Sequence, residues 1–208
     1  MQKCISLLAL TLFITSCTNT AMMENINQIS GLTFTQDARG KTVLDKYQVI
    51  RDLNQQHNTL SLCIAQELDN KPVSLLGSSA TFWDSYGGYY TYPGKSVSLE
   101  GGDTIKLIAD NAVVAKGVTE YAYDNLSSLT SYVRYTLTAT KKNQHIVYLF
   151  SHILQAKQDT GAAFNEGFIP VEVIYRAHPD YVIQALDKEI ERIDTCLATE
   201  LGDIKHEN

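Results

Sequence analysis

The side chains able to do covalent or acid–base chemistry are scattered along this chain of 208 residues. His57 and Cys63 could form a nucleophilic pair, since an imidazole beside a thiol favours the thiolate. Gly40-Lys41-Thr42 ends like a phosphate-binding loop. That loop needs a glycine five residues before Gly40, where Thr35 stands, so the backbone cradle is incomplete. Gly77-Ser78-Ser79 lacks the G-x-S-x-G pattern that lifts a nucleophilic serine onto a strained elbow. The histidines are His57, His145, His152, His178 and His206, and none belongs to an H-E-x-x-H motif. His145 and His152 fall on one expected strand seven residues apart, hence on opposite faces, which denies a single metal both rings. Glu189, Glu191 and Asp194, interleaved with Lys188 and Arg192, read as the solvated face of a C-terminal helix. The residues therefore predict no catalytic site, no metal and no cofactor.

The two ends of the polypeptide have different characters. Met1-Gln2-Lys3 precedes an apolar run over residues 5–14, ten residues where a membrane-spanning helix needs roughly 20. A cationic start, a short apolar core and a small-residue exit form the pattern of a secretory signal. Ile14-Thr15-Ser16-Cys17 resembles the bacterial lipobox. The resemblance implies cleavage before Cys17, acyl chains on Cys17 and, with Thr18 next in place of an aspartate, the periplasmic side of a Gram-negative outer membrane. Two or more chains anchor a protein stably, at about 0.8 kcal/mol for each buried methylene.

Cleavage there leaves 192 residues (208 − 16) and removes Lys3, for a net charge of 16 − 23 = −7. An acidic chain without a basic cluster excludes a nucleic-acid partner, and it must rely on acyl chains rather than charge to hold anionic lipid. With 44% hydrophobic and 19% charged residues, the remainder is composed like a globular domain able to build a core.

Two features rise above this background. Phe82, Trp83, Tyr86, Tyr89, Tyr90 and Tyr92 crowd into eleven residues and include the sole tryptophan. They form a surface platform for a protein or glycan partner, or they pair across a hairpin and pack its inner members. The second feature is Cys63 and Cys196, the only cysteines left after signal cleavage and lipidation of Cys17. In an oxidising compartment they are expected to pair as a disulfide rather than remain buried thiols.

The elements that position these residues follow from hydrophobic periodicity. Residues 17–31 read as a lipidated cysteine and flexible tether, 32–201 as one domain and 202–208 as a polar tail. LTFT from Leu32 suggests a short strand. Ile50, Leu53, Leu60, Ile64 and Leu68 suggest a helix over 45–68, with alternation at Leu60, Leu62 and Ile64 as a competing strand pattern. Sheet follows over 73–154, with turns at Gly87-Gly88, at Asp110-Asn111 and over 141–144. The strand after the last turn is apolar on both faces, Val147, Leu149 and Ile153 against Ile146, Tyr148 and Phe150, as in a central strand covered twice. VEVIY over 171–175 reads as another strand. His178-Pro179-Asp180 opens a helix whose stripe is Val182, Leu186, Ile190, Ile193, Leu197 and Leu201. The expected fold is α+β: an antiparallel sheet with an N-terminal and a C-terminal helix on one face.

The segment VVAKGVTEY, the hairpin TLTATKKNQHIVYLF and the closing amphipathic helix resemble, over residues 45–200, a bacterial envelope domain of unknown function described as TBP-like. The resemblance implies a curved sheet backed by helices and transfers no catalytic residue. The hairpin turn, Lys141-Lys142-Asn143-Gln144-His145, departs from the Lys-Asp-Gly usual there. The expected function is a lipid-anchored envelope module that works by binding or assembly, with an envelope protein or glycan as partner. The competing classes are an envelope hydrolase with an unrecognised site and a binder of a small apolar ligand between sheet and helix.

Overall fold

A computed structural model describes residues 24–52, 59–83, 85–94, 96–123, 126–161 and 164–204. The expected signal, Cys17, His57, His206 and positions 205–208 lie outside the described residues. The fold begins earlier than Leu32: Glu24–Gln28 is a 3₁₀ helix whose Ile26 is buried, with Ile29 packed on the core. The stretch expected as tether is therefore folded from residue 24 onward.

Strand β1 (Leu32–Gln36) pairs with β2 (Thr42–Asp52) through a turn in which Asp37 Oδ1 accepts the backbone N–H groups of Arg39 and Lys41, each at 2.9 Å. The expected helix over 45–68 is corrected here. Its first third belongs to β2, and among the described residues of that span only Leu60–Glu67 is helical, as α1. β2 hides its period because Asp45 is an extra residue opposite Thr33/Phe34, a bulge that puts Leu44 and Tyr47, three positions apart, into the same core.

Next come β3 (Val73–Leu75), β4 (Ala80–Trp83), β5 (Tyr89–Tyr92) and β6 (Val97–Leu99), followed by β7 (Ile105–Ala109) and β8 (Ala112–Tyr123). β9 (Leu126–Lys142), β10 (His145–Lys157) and β11 (Ile169–Pro170) precede α2 (Pro179–Ile204). The main sheet runs β1-β2-β10-β9-β8-β7, every neighbour antiparallel, with β11 on the end of β10. Small two-stranded sheets join β3 to β6 and β4 to β5. The expected strand over 171–175 is replaced by extended chain: Val171 and Val173 are buried and hydrogen-bond to Leu44 and Thr42, and Tyr175–Ala177 is a 3₁₀ turn.

Both helices lie on one face of the main sheet, giving the α+β architecture. The α2 residues Val182, Leu186, Ile190, Ile193 and Leu197 are buried against Val133, Leu137, Ile146, Tyr148 and Phe150, at about 1.5–3 kcal/mol for each side chain removed from water. Leu201 lies on the last turns of α2, which extends three residues past the expected domain end. Tyr135 needs more room than a β-branched neighbour would leave. It pairs with Gly117 on β8, and a Cβ on that glycine would stand 2.5 Å from the tyrosine ring.

β10 is central, as expected, but it is not covered twice. Ile146, Tyr148 and Phe150 are buried under the helices, whereas Val147 and Leu149 are only half-buried. On that second face the β3–β6 sheet caps one end, with Val73 and Leu75 against Val118 and Ala156. A bulge at His152 (φ 51°) inserts one residue between Ser151 and Leu154 and turns Ile153 inward, away from the Val147 face assigned to it by simple alternation. No described helix is long and apolar enough to cross a membrane.

Candidate functional site: an exposed aromatic hairpin

The β4–β5 ribbon carries the aromatic cluster. Its register sets Phe82 opposite Tyr90 and Trp83 opposite Tyr89. Adjacent strand residues point to opposite faces, so each face receives one aromatic pair. Trp83 and Tyr89 meet edge to face with centroids 4.9 Å apart, and Thr81 Oγ1 and Thr91 Oγ1 lie 3.0 Å apart on the same side. The connection is five residues long, 84–88, where the sequence suggested a two-residue Gly87-Gly88 turn; Gly87 supplies the positive φ of 86°. Tyr92 lies opposite Ala80, and Asp84 falls outside the described residues.

Cross-strand pairing is thus present, but among the described residues nothing buries either face. Phe82 is 54% exposed, Trp83 64%, Tyr86 96%, Tyr89 79% and Tyr90 59%. Burial of half the cluster as core is excluded by this arrangement, because both faces of the ribbon meet solvent.

The ribbon's base is held firmly. Leu76 N–H donates to Gln158 O at 2.6 Å, and Ser78 N–H donates to Gly161 O at 2.8 Å. Ser78 Oγ donates to the Asp159 carboxylate, and the buried Asn165 Nδ2 donates to Leu76 O and Lys157 O. Gly94 approaches Gly77 so closely that a Cβ would sit 1.6 Å from the Gly77 carbonyl oxygen, and the Gly94 N–H donates to Ser79 Oγ. The aromatic tip is therefore presented on a fixed stem. A cavity of about 160 Å³ opens beside the stem, lined by Ser131, Gln155, Phe164, Asn165 and Ile169.

Cys63 Sγ and Cys196 Sγ are joined, with Cα atoms 5.7 Å apart, and tie α1 to α2. The disulfide removes Cys63 as a nucleophile. His145 Nδ1 contacts Asp52 Oδ1 at 2.7 Å, and His152 stands in the bulge seven positions away, roughly 23 Å along a strand. Lys41 Nζ pairs with Glu172 Oε1 at 2.5 Å, so the Gly40-Lys41-Thr42 segment is a turn with a paired lysine.

The acids of α2 require a correction, since they do not form a uniformly solvated face. Glu189 is buried and accepts hydrogen bonds from Tyr135 Oη at 3.1 Å and Arg192 Nη2 at 2.8 Å. Asp194 accepts from Tyr148 Oη at 2.8 Å and pairs with Arg51, and Asp187 accepts from Tyr47 Oη at 2.6 Å. Three tyrosines on three strands thus bolt the helix to the sheet. Burial pushes Glu189 above the ordinary glutamate range. Tyr135, Tyr148 and Tyr47 are raised above the tyrosine range by burial first and their carboxylate partners second. The readable signal was position: Glu189 lies three residues after Leu186 and four before Ile193, on the apolar stripe itself.

The region between α2 and the sheet is filled by side chains such as Leu137, Leu186, Ile190 and Ile193, each with no exposed surface. No protein-family model matches the chain, and no curated protein or solved structure is significantly similar to it.

Proposed function

We propose that this protein is a cell-envelope lipoprotein, anchored through acyl chains on Cys17, that acts by binding through the β4–β5 aromatic hairpin and not by catalysis. The observation that carries the reading is a ribbon with aromatic side chains exposed on both faces, on a stem fixed by backbone hydrogen bonds. Leaving such side chains in water forgoes about 25 cal/mol for each Å² of apolar surface. Large exposed aromatic area is a common mark of an interaction site. Rigid Tyr and Trp side chains supply contact area at little conformational cost.

The anchor and the contact are tested separately. Cys17→Ala should release the protein to the soluble fraction or leave an uncleaved precursor; unchanged fractionation and migration would refute the anchor. Photo-crosslinkers at Tyr86 and Tyr90 should capture envelope components in cells, with Ser98 on β6 as the control position. Equal capture from all three positions would remove the hairpin as the contact.

A further inference from the structure

We infer that the surface taken by the β4–β5 hairpin is the lipid–water interface of the membrane, into which the aromatic tip dips as a second attachment point. This deepens the reading above and rests on it. Among the described residues, seven of the twelve exposed large hydrophobic side chains are Phe82, Trp83, Tyr86, Tyr89 and Tyr90 on the ribbon, with Leu76 and Phe164 beside its base. More than half of the large apolar side chains exposed among the described residues therefore belong to the ribbon and its base. A partner that packs on a ribbon covers one face, whereas this ribbon is aromatic on both. A fluid interface surrounds what enters it, and so covers both faces at once.

Charge supports the same occupant. Over residues 78–94 the only charged side chain is Asp84, in a protein whose mature net charge is −7 (16 − 23). This is a region of the acidic molecule that can approach lipid phosphates with little repulsion. The chemistry also fixes the depth. A two-stranded ribbon has unpaired N–H and C=O groups on both edges, which cannot enter hydrocarbon. Trp and Tyr belong at the headgroup level, where ring and polar tip are both satisfied. The hydroxyls of Thr81 and Thr91 suit the same layer.

The length of chain between Cys17 and the fold keeps the domain near lipid. Ile26 is fixed in the core, and it stands nine residues after Cys17. Nine residues span at most about 30 Å. An acylated Cys17 therefore keeps the domain within one domain diameter of the bilayer. At such a distance even a weak second contact is favoured by a high effective concentration.

The experiment uses Trp83, the sole tryptophan, as its own reporter. The full lipidated chain is reconstituted into phosphatidylethanolamine/phosphatidylglycerol vesicles, floated, and read with aqueous acrylamide and with acyl-brominated lipid. The expected result is a Trp83 emission shifted to shorter wavelength, shielded from acrylamide and quenched by the brominated lipid. The Cys17→Ser chain should bind the same vesicles weakly, and Phe82→Ser with Tyr90→Ser should lower that binding at least tenfold, which corresponds to about 1.4 kcal/mol. Floating protein whose Trp83 stays as open to acrylamide as without vesicles overturns the inference. So does a Trp83 shielded only by added envelope polysaccharide, or one shielded in solution by self-association. Wild-type protein that does not float refutes the anchor instead, and vesicle quenching of Trp83 in the Cys17→Ser chain then decides the hairpin independently.

Discussion

Reducing the Cys63–Cys196 bond should cost this protein a large part of its stability. The bond closes a loop with a sequence separation of 133 residues. In the chain-entropy description a loop of this size removes about 5 kcal/mol of unfolded-state freedom, against a total of roughly 5–15 kcal/mol for a typical domain. The location sharpens the expectation. α1 has only eight residues and no side-chain N-cap, too short to persist alone in water. It is held by Leu60, Ile64 and the bond itself. Reduction leaves the packing of both sulfur positions intact, so the loss is read as chain freedom and not as a cavity. Guanidinium unfolding of the soluble domain, with and without reductant, should show the midpoint falling by about 1–2 M, for a slope of roughly 2–6 kcal/mol/M. Amide exchange should show α1 losing protection before the main sheet. A midpoint that moves by less than about 0.3 M, or two thiols labelled in unreduced denatured protein, would refute the reasoning.

Gly117→Ala should destabilise the domain by about 1–3 kcal/mol, because the new methyl group meets the Tyr135 ring; a melting temperature equal to that of the parent would contradict this. Tyr135→Phe removes one hydrogen bond to the buried Glu189 and should cost about 1.5–3 kcal/mol in denaturant unfolding, with Arg192 still paired to the carboxylate. Tyr47, Tyr135 and Tyr148 are protonated in the fold and raised above their unfolded values, so their contribution is complete below about pH 10 and is lost as pH climbs beyond that. Stability measured from pH 8 upward should therefore hold to about pH 10 and fall beyond it, less steeply in Tyr135→Phe. Glu189 is also raised: the fold holds its proton more tightly than the unfolded chain, so this group lowers stability as pH rises above the ordinary glutamate range, and Glu189→Gln should flatten that slope. Trp83→Ser should change stability by no more than about 0.5 kcal/mol, since the side chain is 64% exposed; a larger loss by thermal unfolding would make the hairpin structural.

Local patterns carried much of this fold. The β7–β8 and β9–β10 hairpins were readable because alternation and turn residues are set within a few positions. The stripe of α2 and its Pro179 start were readable because a helix repeats its face every three to four residues. The pairing of Cys63 with Cys196 followed from cysteine count and the expectation of an oxidising compartment, without any knowledge of the distance between them. Three features escaped this reading, each for a tertiary reason. The extra residues at Asp45 and His152 shift a strand's inward face by one position, and a bulge is fixed by the partner strand opposite it. Glu189 and Asp194 resemble solvated helix acids until tyrosine hydroxyls from strands more than forty residues earlier reach them. The aromatic cluster was visible as composition alone, because whether a ring is core or surface depends on what lies against it. Among the described residues no second layer covers either face of the β4–β5 ribbon, and that lack of cover is a property of the packed molecule that no stretch of eleven residues encodes.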